Sequence, residues 1–339
     1  MGGSFLSSWL MPDVFMPVLL LCMGLLLFTP LKLADKIMIS LLALLSLGMH
    51  NANPYICLII LVVIAFAAIF KAVRRSYIRN GLGVARILYC LSLIVLSQLL
   101  LGLLHYNYGG SFKSSKGGSV FLMGSLVEMG VVKQYLDENC QHKSYFICAY
   151  KDSLPRNFLW NEKSPIYKNG GWENNEKEYA AIAKDILTTP AYLKLVVAGS
   201  LKASVRQFSH YATGEAYSPW PKVSRALGEN YPKDYQAYKR SRQFTGRLDF
   251  AFVNYSQTIL FAGCMLFYVI LLLDKRVADR YKWLMLYILL GLIINAWFCA
   301  TFSGVFHRYQ ARLIWLTPLP LFLYVMNNNV FKRDRAAKL

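Results

Sequence analysis

The chain has 339 residues, of which 56% are hydrophobic and only 16% are charged, with a mean hydropathy of +0.36 and a formal net charge of +19. Soluble domains usually carry about 25% charged residues, so this composition argues against a soluble globular protein. The basic balance does not indicate nucleic acid binding, because the basic residues gather in short loops between apolar blocks, where contact with anionic lipid headgroups explains them.

Long apolar blocks dominate the two ends of the sequence. Runs of about 18 or more apolar residues predict transmembrane helices, because backbone polar groups in lipid must be paired within the protein. We predict an all-α integral membrane protein with about seven transmembrane helices. The predicted spans are 14–31, 37–52, 54–71, 84–105, 251–273, 283–305 and 312–330. The second span is short, so a re-entrant or interfacial segment is its alternative interpretation, and Pro318 and Pro320 predict a kink in the last.

Most basic residues of the short loops lie at one end of the predicted spans. One set of short loops and the tail carries Lys32, Lys36, Lys71, Arg74, Arg75, Arg79, Arg86, Lys275, Arg276, Arg280, Lys282, Lys332, Arg333, Arg335 and Lys338. The opposite short loops hold only Arg308 and Arg312. The positive-inside rule therefore predicts a cytoplasmic C-terminus and an extracytoplasmic segment 106–250, here called the large loop. It also places the N-terminus outside, which suggests that upstream spans are missing.

Three regions follow from this pattern: 1–105 with transmembrane helices 1–4, the large loop 106–250, and 251–339 with helices 5–7 and a cytoplasmic tail. The large loop is mainly helical by periodicity, with patterns at 119–137, 174–187, 191–211 and about 232–246.

The pattern at 191–211 is the most informative of the four. Its apolar stripe consists of Leu193, Val197, Leu201, Val205 and Phe208, and the neighbouring stripe of Lys194, Lys202, Arg206 and His210. An apolar stripe beside a basic one is typical of a helix that lies in the headgroup region of a membrane. A helix that packs on its own domain is the alternative, and the sequence leaves both open.

Seven cysteines fall into two groups. Cys22, Cys57, Cys90, Cys264 and Cys299 lie in apolar runs and are expected to be buried packing residues. Cys140 and Cys148 lie in the large loop, where an oxidising compartment and a short intervening segment favour a disulfide. A metal site would need more ligands than His142 supplies.

Polar residues gather at the predicted outer ends of the spans. They are Asp13, His50, Asn51, Asn53, His105, Tyr106, His307, Arg308, Tyr309, Gln310 and Arg312. If the spans form a bundle, these ends converge beneath the large loop. Ionisable groups near a membrane interior are costly and often mark a site. A carboxylate, imidazoles and two guanidiniums can bind a lipid phosphate and act as acid or base. Arg308 and Arg312 are four residues apart, so they share a helical face.

Structural roles are the alternative for the same residues, and for any single one of them the sequence favours the structural role. Asp13 follows Pro12 and can cap the first helix. His50 and the neighbouring Asn51 can simply end a helix. Arg308 and Arg312 can extend toward lipid headgroups.

No complete catalytic signature is present. The sequence contains no Walker loop, no GxGxxG, no GxSxG, no HExxH and no CxxC motif. This argues against nucleotide-driven chemistry in the cytoplasm, and we expect neither a cofactor nor a metal.

Several segments resemble a group of bacterial polytopic membrane proteins. They are Ser303–Leu316, Trp9–Asp13, His50-Asn51, Phe121–Met123, Cys140, Cys148, Leu154-Pro155 and Phe158–Trp160. That group is similar to the C-type glycosyltransferase (GT-C) superfamily, which uses polyprenyl-phosphate sugar donors. The resemblance covers most of the chain. It implies a multi-pass protein of the bacterial inner membrane that binds or acts on a polyprenyl-phosphate-linked sugar in cell-envelope glycan modification.

The chain departs from the GT-C pattern in one respect. Those enzymes usually carry the catalytic acid in the first extracytoplasmic loop, and no acidic residue here matches that motif, so the role is not assigned to Asp13. Two hypotheses follow. One is a GT-C-like protein in which Arg308 and Arg312 hold the lipid phosphate, with His50 and His307 as secondary contacts. The other is a non-enzymatic subunit or scaffold that docks an envelope protein partner through the large loop. Membrane lipids are expected partners in both cases.

Overall fold

A computed structural model describes residues 12–108, 110–113, 117–215 and 221–336. The fold is all-helical, with 75% helix and no strand in these ranges. The helices are α1 (Phe15–Phe28), α2 (Leu33–Met49), α3 (Ala52–Ala67), α4 (Lys71–Arg79), α5 (Val84–Asn107), α6 (Gly118–Glu128), α7 (Val131–Asn139), α8 (Pro165–Lys168), α9 (Trp172–Thr188), α10 (Pro190–Ser209), α11 (Pro221–Asn230), α12 (Pro232–Lys239), α13 (Ala251–Leu273), α14 (Asp279–Phe302), α15 (Arg308–Ile314) and α16 (Pro318–Ala336). Short 3-10 turns occur at Pro12–Val14 and Phe146–Tyr150. Most of the predicted N-terminal segment 1–13 and Lys338 of the tail lie outside the described residues.

The prediction of seven membrane spans is not supported. Among the described residues, only α5, α13 and α14 are long and apolar enough to cross a membrane, and a fourth span results if α2 and α3 are counted together. The first predicted span ends early, because α1 has 14 residues, a rise of about 21 Å, against a hydrocarbon core of about 30 Å. The last is broken between α15 and α16, and α16 contains several basic residues near its end.

The second and third predicted spans form one bent pair. Helices α2 and α3 meet at a break of a few residues and are bent by 120°, the geometry of a broken span or a re-entrant loop. His50 has an extended backbone that ends α2, and its Nδ1 accepts a hydrogen bond of 3.1 Å from the backbone N–H of Ala52. The buried amide of Asn53 donates to the carbonyl oxygen of Ser46 at 2.8 Å. Side chains at the bend thus satisfy backbone groups that the interrupted helices leave unpaired.

The chain folds into two compact units. Unit 1 contains Met1–Val14, His210–Leu289 and Phe306–Leu339, and unit 2 contains Phe15–Ser209 and Leu290–Val305. This division follows spatial packing, whereas the predicted boundaries at 105 and 250 follow hydropathy.

The part of unit 2 between α6 and α10 has its own apolar core. Fully buried side chains include Met123, Tyr135, Phe158 and Tyr179. The predicted pattern at 119–137 becomes two helices, α6 and α7, because Gly130 between them adopts a φ of +80°. The patterns at 174–187 and 191–211 correspond to α9 and α10.

The two cysteines of the large loop are paired. The sulfur atoms of Cys140 and Cys148 lie 2.09 Å apart, at disulfide distance, and close the short segment between α7 and the following 3-10 turn. The pair packs against the apolar core of the large loop. The other five cysteines are buried and free, as predicted.

Unit 1 is organised around α13 and the C-terminal helices. The buried hydroxyl of Tyr268 on α13 donates to the carbonyl oxygen of Thr317 at 2.8 Å, in the break between α15 and α16. Tyr281, at the start of α14, contacts Tyr324 of α16 edge-on, with 5.5 Å between ring centroids. These contacts fix the C-terminal helices against α13 and the start of α14, and so position the short helix α15.

Candidate functional site

The sequence just before α15 interrupts the helical backbone. Helix α14 ends at Phe302, and Gly304 adopts a φ of +136°, a conformation that residues with a Cβ rarely adopt. Helix α15 then begins at Arg308, and all its residues from Tyr309 to Ile314 are buried. The segment therefore carries polar side chains into the interior of the protein.

Arg312 and Asp13 form a buried ion pair. The Nη1 atom of Arg312 donates to Oδ1 of Asp13 at 3.0 Å, and the side chains are 0% and 3% exposed. Complete burial rules out the alternative in which Arg312 extends toward lipid headgroups. One oxygen of the Asp13 carboxylate accepts from the guanidinium, so its role goes beyond that of a helix cap.

Arg308 occupies a half-buried position beside aromatic rings. Its guanidinium carbon lies 5.0 Å from the ring centroid of Tyr309 and 5.5 Å from that of Phe306. One Nη atom donates to the Tyr309 hydroxyl at 3.3 Å, and the backbone N–H of Arg308 donates to a carboxylate oxygen of Glu215 at 3.3 Å. Burial alone lowers the pKa of Arg308, but Tyr309 and the carboxylates of Asp13 and Glu215 outweigh it, and the net shift is upward. The guanidinium is therefore held in its charged form.

Two histidines stack beside this arginine. The rings of His210 and His307 are nearly parallel, at 16°, with centroids 4.5 Å apart. Nδ1 of His307 accepts a 3.0 Å hydrogen bond from the backbone N–H of Ala212. Burial lowers the pKa of His307, as does the nearby charge of His210, and Glu215 opposes both effects. The accepted hydrogen bond likewise requires an unprotonated Nδ1.

Helix α13 holds the segment that contributes His210 and Glu215. Asn254 makes two hydrogen bonds with the backbone of Thr213, accepting from its N–H at 2.6 Å and donating to its carbonyl at 3.0 Å. The amide of Gln257, which is 2% exposed, donates to the carbonyl of Tyr211 at 2.5 Å. Side-chain amides of a predicted membrane helix therefore fix the conformation of residues 211–213.

Several of the predicted site residues lie in one cluster within unit 1. This polar cluster is defined by Asp13, His210, Glu215, His307, Arg308, Tyr309 and Arg312. Gln310 is fully buried on the same helix. The structure places His50 and Asn51 in unit 2, at the bend between α2 and α3, where His50 has a helix-ending role.

Two members of the polar cluster were missed by sequence reasoning. His210 was assigned to the basic stripe of the 191–211 pattern, and Glu215 was not singled out. Glu215 follows Gly214, whose φ of +120° marks a turn. An acidic residue after a Gly turn and ahead of an apolar span was the only available signal, and it is too common to identify a site.

The polar cluster combines charges that can bind an anion with groups that can accept a proton. Arg308 is a half-buried cation, and Glu215 is an exposed carboxylate within hydrogen-bonding distance of the backbone N–H of Arg308. Such a pair can hold a phosphate and accept a proton from a neighbouring hydroxyl. Comparison of the chain with protein-family models, with curated proteins and with solved structures finds no match.

Proposed function

We propose that the protein is a GT-C-like membrane protein that binds a polyprenyl-phosphate-linked sugar at the polar cluster and acts in cell-envelope glycan modification. The supporting observation is Arg308, whose charged and half-buried side chain lies beside two aromatic rings and whose backbone N–H donates to the Glu215 carboxylate. A guanidinium matches the geometry of a phosphate, and an aromatic surround suits an apolar lipid tail and a sugar ring.

The proposed chemistry is transfer of the sugar from the lipid phosphate to an acceptor hydroxyl. The acceptor oxygen forms a bond to the anomeric carbon, the bond from that carbon to the phosphate oxygen breaks, and polyprenyl phosphate leaves. Arg308 stabilises the charge of the leaving phosphate. Glu215 takes the proton from the acceptor hydroxyl.

Arg312 has a different role in this proposal from the one expected of it. Its charge is balanced by Asp13 inside the protein, so it holds α15 in place and thereby positions Arg308. The lipid phosphate is then bound mainly by Arg308.

Native mass spectrometry of the detergent-purified protein with added polyprenyl phosphate tests the proposal. The wild type should retain the lipid, and Arg308→Gln should lose it. The matched control is Arg276→Gln, which removes the same charge from an exposed side chain paired with Asp274 in the same unit, and it should bind like the wild type. Equal retention of polyprenyl phosphate by Arg308→Gln and the wild type would rule out the proposed site.

A second candidate function is a non-enzymatic subunit or scaffold for an envelope partner. The buried Asp13–Arg312 pair favours it, because this pair withdraws one carboxylate and one guanidinium from chemistry. Under this proposal the wild type retains no polyprenyl phosphate, and cross-linking in intact envelopes joins the large loop to a protein.

A further inference from the structure

Helix α10 has two faces with different surroundings. One face is buried in unit 2 through Tyr192, Val196, Ser200 and Gln207. The other face exposes the apolar stripe of the sequence pattern: Leu193 is 41% exposed, Val197 51%, Leu201 60% and Val205 74%. Packing on its own domain therefore accounts for the first face only, and the apolar stripe points away from the domain core.

The position of α10 relative to a membrane span is fixed by a buried threonine. Thr301 is the penultimate residue of α14, one of the helices able to cross a membrane. Its hydroxyl is hydrogen-bonded to that of Ser200 at 2.5 Å, and its carbonyl accepts from Ser125 of α6 at 2.6 Å. Ser200 lies in the middle of α10. The middle of α10 is thus level with the end of a span, which is the depth of the lipid headgroups.

Basic residues flank the exposed apolar stripe. Lys194, Lys202 and Arg206 are all exposed on α10. One acidic side chain, Glu128 at the end of α6, is close enough to Arg206 to interact with it electrostatically. The face therefore combines exposed apolar area with a surplus of positive charge, which is complementary to an anionic lipid surface.

We propose that α10 lies in the headgroup layer of the membrane on the side of the large loop and binds anionic phospholipid. Its stripe of Leu193, Val197, Leu201 and Val205 enters the acyl boundary, and the lysines and arginine contact lipid phosphates. The helix has 20 residues and is about 30 Å long, enough to cover several lipids. This inference stands independently of the function proposed for the polar cluster.

Photo-crosslinking of the full-length protein in a bilayer tests the location of α10. A benzophenone amino acid replaces Val205 or Leu201 in nanodiscs of equal phosphatidylglycerol and phosphatidylcholine, and intact mass identifies the adduct. The control position is Lys177, an exposed residue of α9. We expect lipid adducts at 201 and 205 and none at 177. Equal lipid adducts at all three positions, or none at 201 and 205, would overturn the proposal.

The basic residues are tested by the lipid preference of the adduct at position 205. Replacing Lys194, Lys202 and Arg206 with Gln should lower the ratio of phosphatidylglycerol to phosphatidylcholine adducts at least fivefold, since each basic residue near an anionic surface is attracted to it. The matched control replaces three exposed lysines outside α10 with Gln: Lys163, Lys177 and Lys184. An unchanged ratio in the first variant, or an equal fall in the control, would refute specific lipid binding. Protein adducts at 205 in native envelopes, with no lipid adduct, would identify a protein partner instead.

Discussion

At the residue scale, the most prominent feature of the polar cluster is the buried pair of opposite charges. Two ions taken out of water lose several kcal/mol of solvation each, and their attraction compensates only when the pair is intact. The Asp13–Arg312 pair meets that condition, with 3.0 Å between its atoms and almost no solvent exposure. Loss of either partner leaves the other ion buried without its compensating charge.

We expect Asp13→Asn to destabilise the protein by about 3–5 kcal/mol, the usual cost of breaking a buried pair. Thermal unfolding in detergent, followed by circular dichroism, measures the change. Asp274→Asn is the matched control, because it breaks a pair with Arg276, whose side chain is 91% exposed, and should leave the midpoint unchanged. The double variant Asp13→Leu/Arg312→Met should be more stable than Asp13→Asn. Equal midpoints for Asp13→Asn and the control would show that the pair does not support the fold.

The lowered pKa of His307 predicts that the folded protein loses stability on mild acidification. Its pKa in the folded protein is below the ordinary value of 6.5, so the unfolded chain binds a proton at a higher pH than the folded protein does. Stability is therefore complete above about pH 6.5 and declines as the pH falls from there toward the lowered pKa. The unfolding midpoint between pH 8 and pH 5 measures this decline. His307→Gln should reduce it, and an identical pH profile for both proteins would contradict the assignment.

At the element scale, the bend between α2 and α3 shows where sequence patterns lose information. Both apolar runs were recognised, and the short second run was recognised as a candidate re-entrant segment. The 120° angle was not predictable, because the bend is accompanied by specific contacts such as the hydrogen bond from Asn53 to Ser46, seven residues earlier. An asparagine in an apolar run has several possible partners, and periodicity does not choose among them.

Asn53→Ala should destabilise the bend. The variant leaves the buried carbonyl of Ser46 without this donor, at a cost of about 1–3 kcal/mol, and the thermal midpoint in detergent should fall. Asn230→Ala is a matched control, since the Asn230 amide donates to the Ala226 carbonyl at the same distance of 2.8 Å in an exposed helix end. A fall of the same size in both variants would show that burial at the bend does not matter.

For the polar cluster too, the sequence identified residues but not their contacts. Asp13, His307, Arg308 and Arg312 were identified because charges beside apolar runs are rare. The pairing of these residues was not identified, since Asp13 and Arg312 are 299 positions apart and the contact between Arg308 and Glu215 spans 93 positions. The division of the two arginines into a buried structural residue and a half-buried candidate ligand also required coordinates, because identical residues four apart look equivalent in sequence.

At the scale of the whole molecule, the distribution of charge predicts how the helices are oriented in a membrane. The positive-inside rule predicts that the short basic loops and the large loop lie on opposite sides of the bilayer. All five free cysteines are buried, so a cysteine added at an exposed position can be labelled against a low background.

We expect Lys177→Cys in the large loop to react with a membrane-impermeant maleimide in intact cells. Lys275→Cys, in the short basic loop between α13 and α14, should react only after permeabilisation, because the positive-inside rule places this loop in the cytoplasm. Mass shift on a gel reports the reaction. The opposite pattern would invert the orientation, and labelling of both in intact cells would mean that the basic loop is not cytoplasmic.

The buried ion pair also constrains the order of biogenesis. Its partners, Asp13 and Arg312, are separated by 299 positions, so the aspartate emerges from the ribosome long before the arginine is synthesised. Until then the Asp13 carboxylate cannot be buried as an ion without a large loss of solvation, because its partner does not yet exist. Unit 1 therefore closes only after translation has passed residue 312, and nascent chains stopped before that point should be preferred substrates for membrane quality-control proteases.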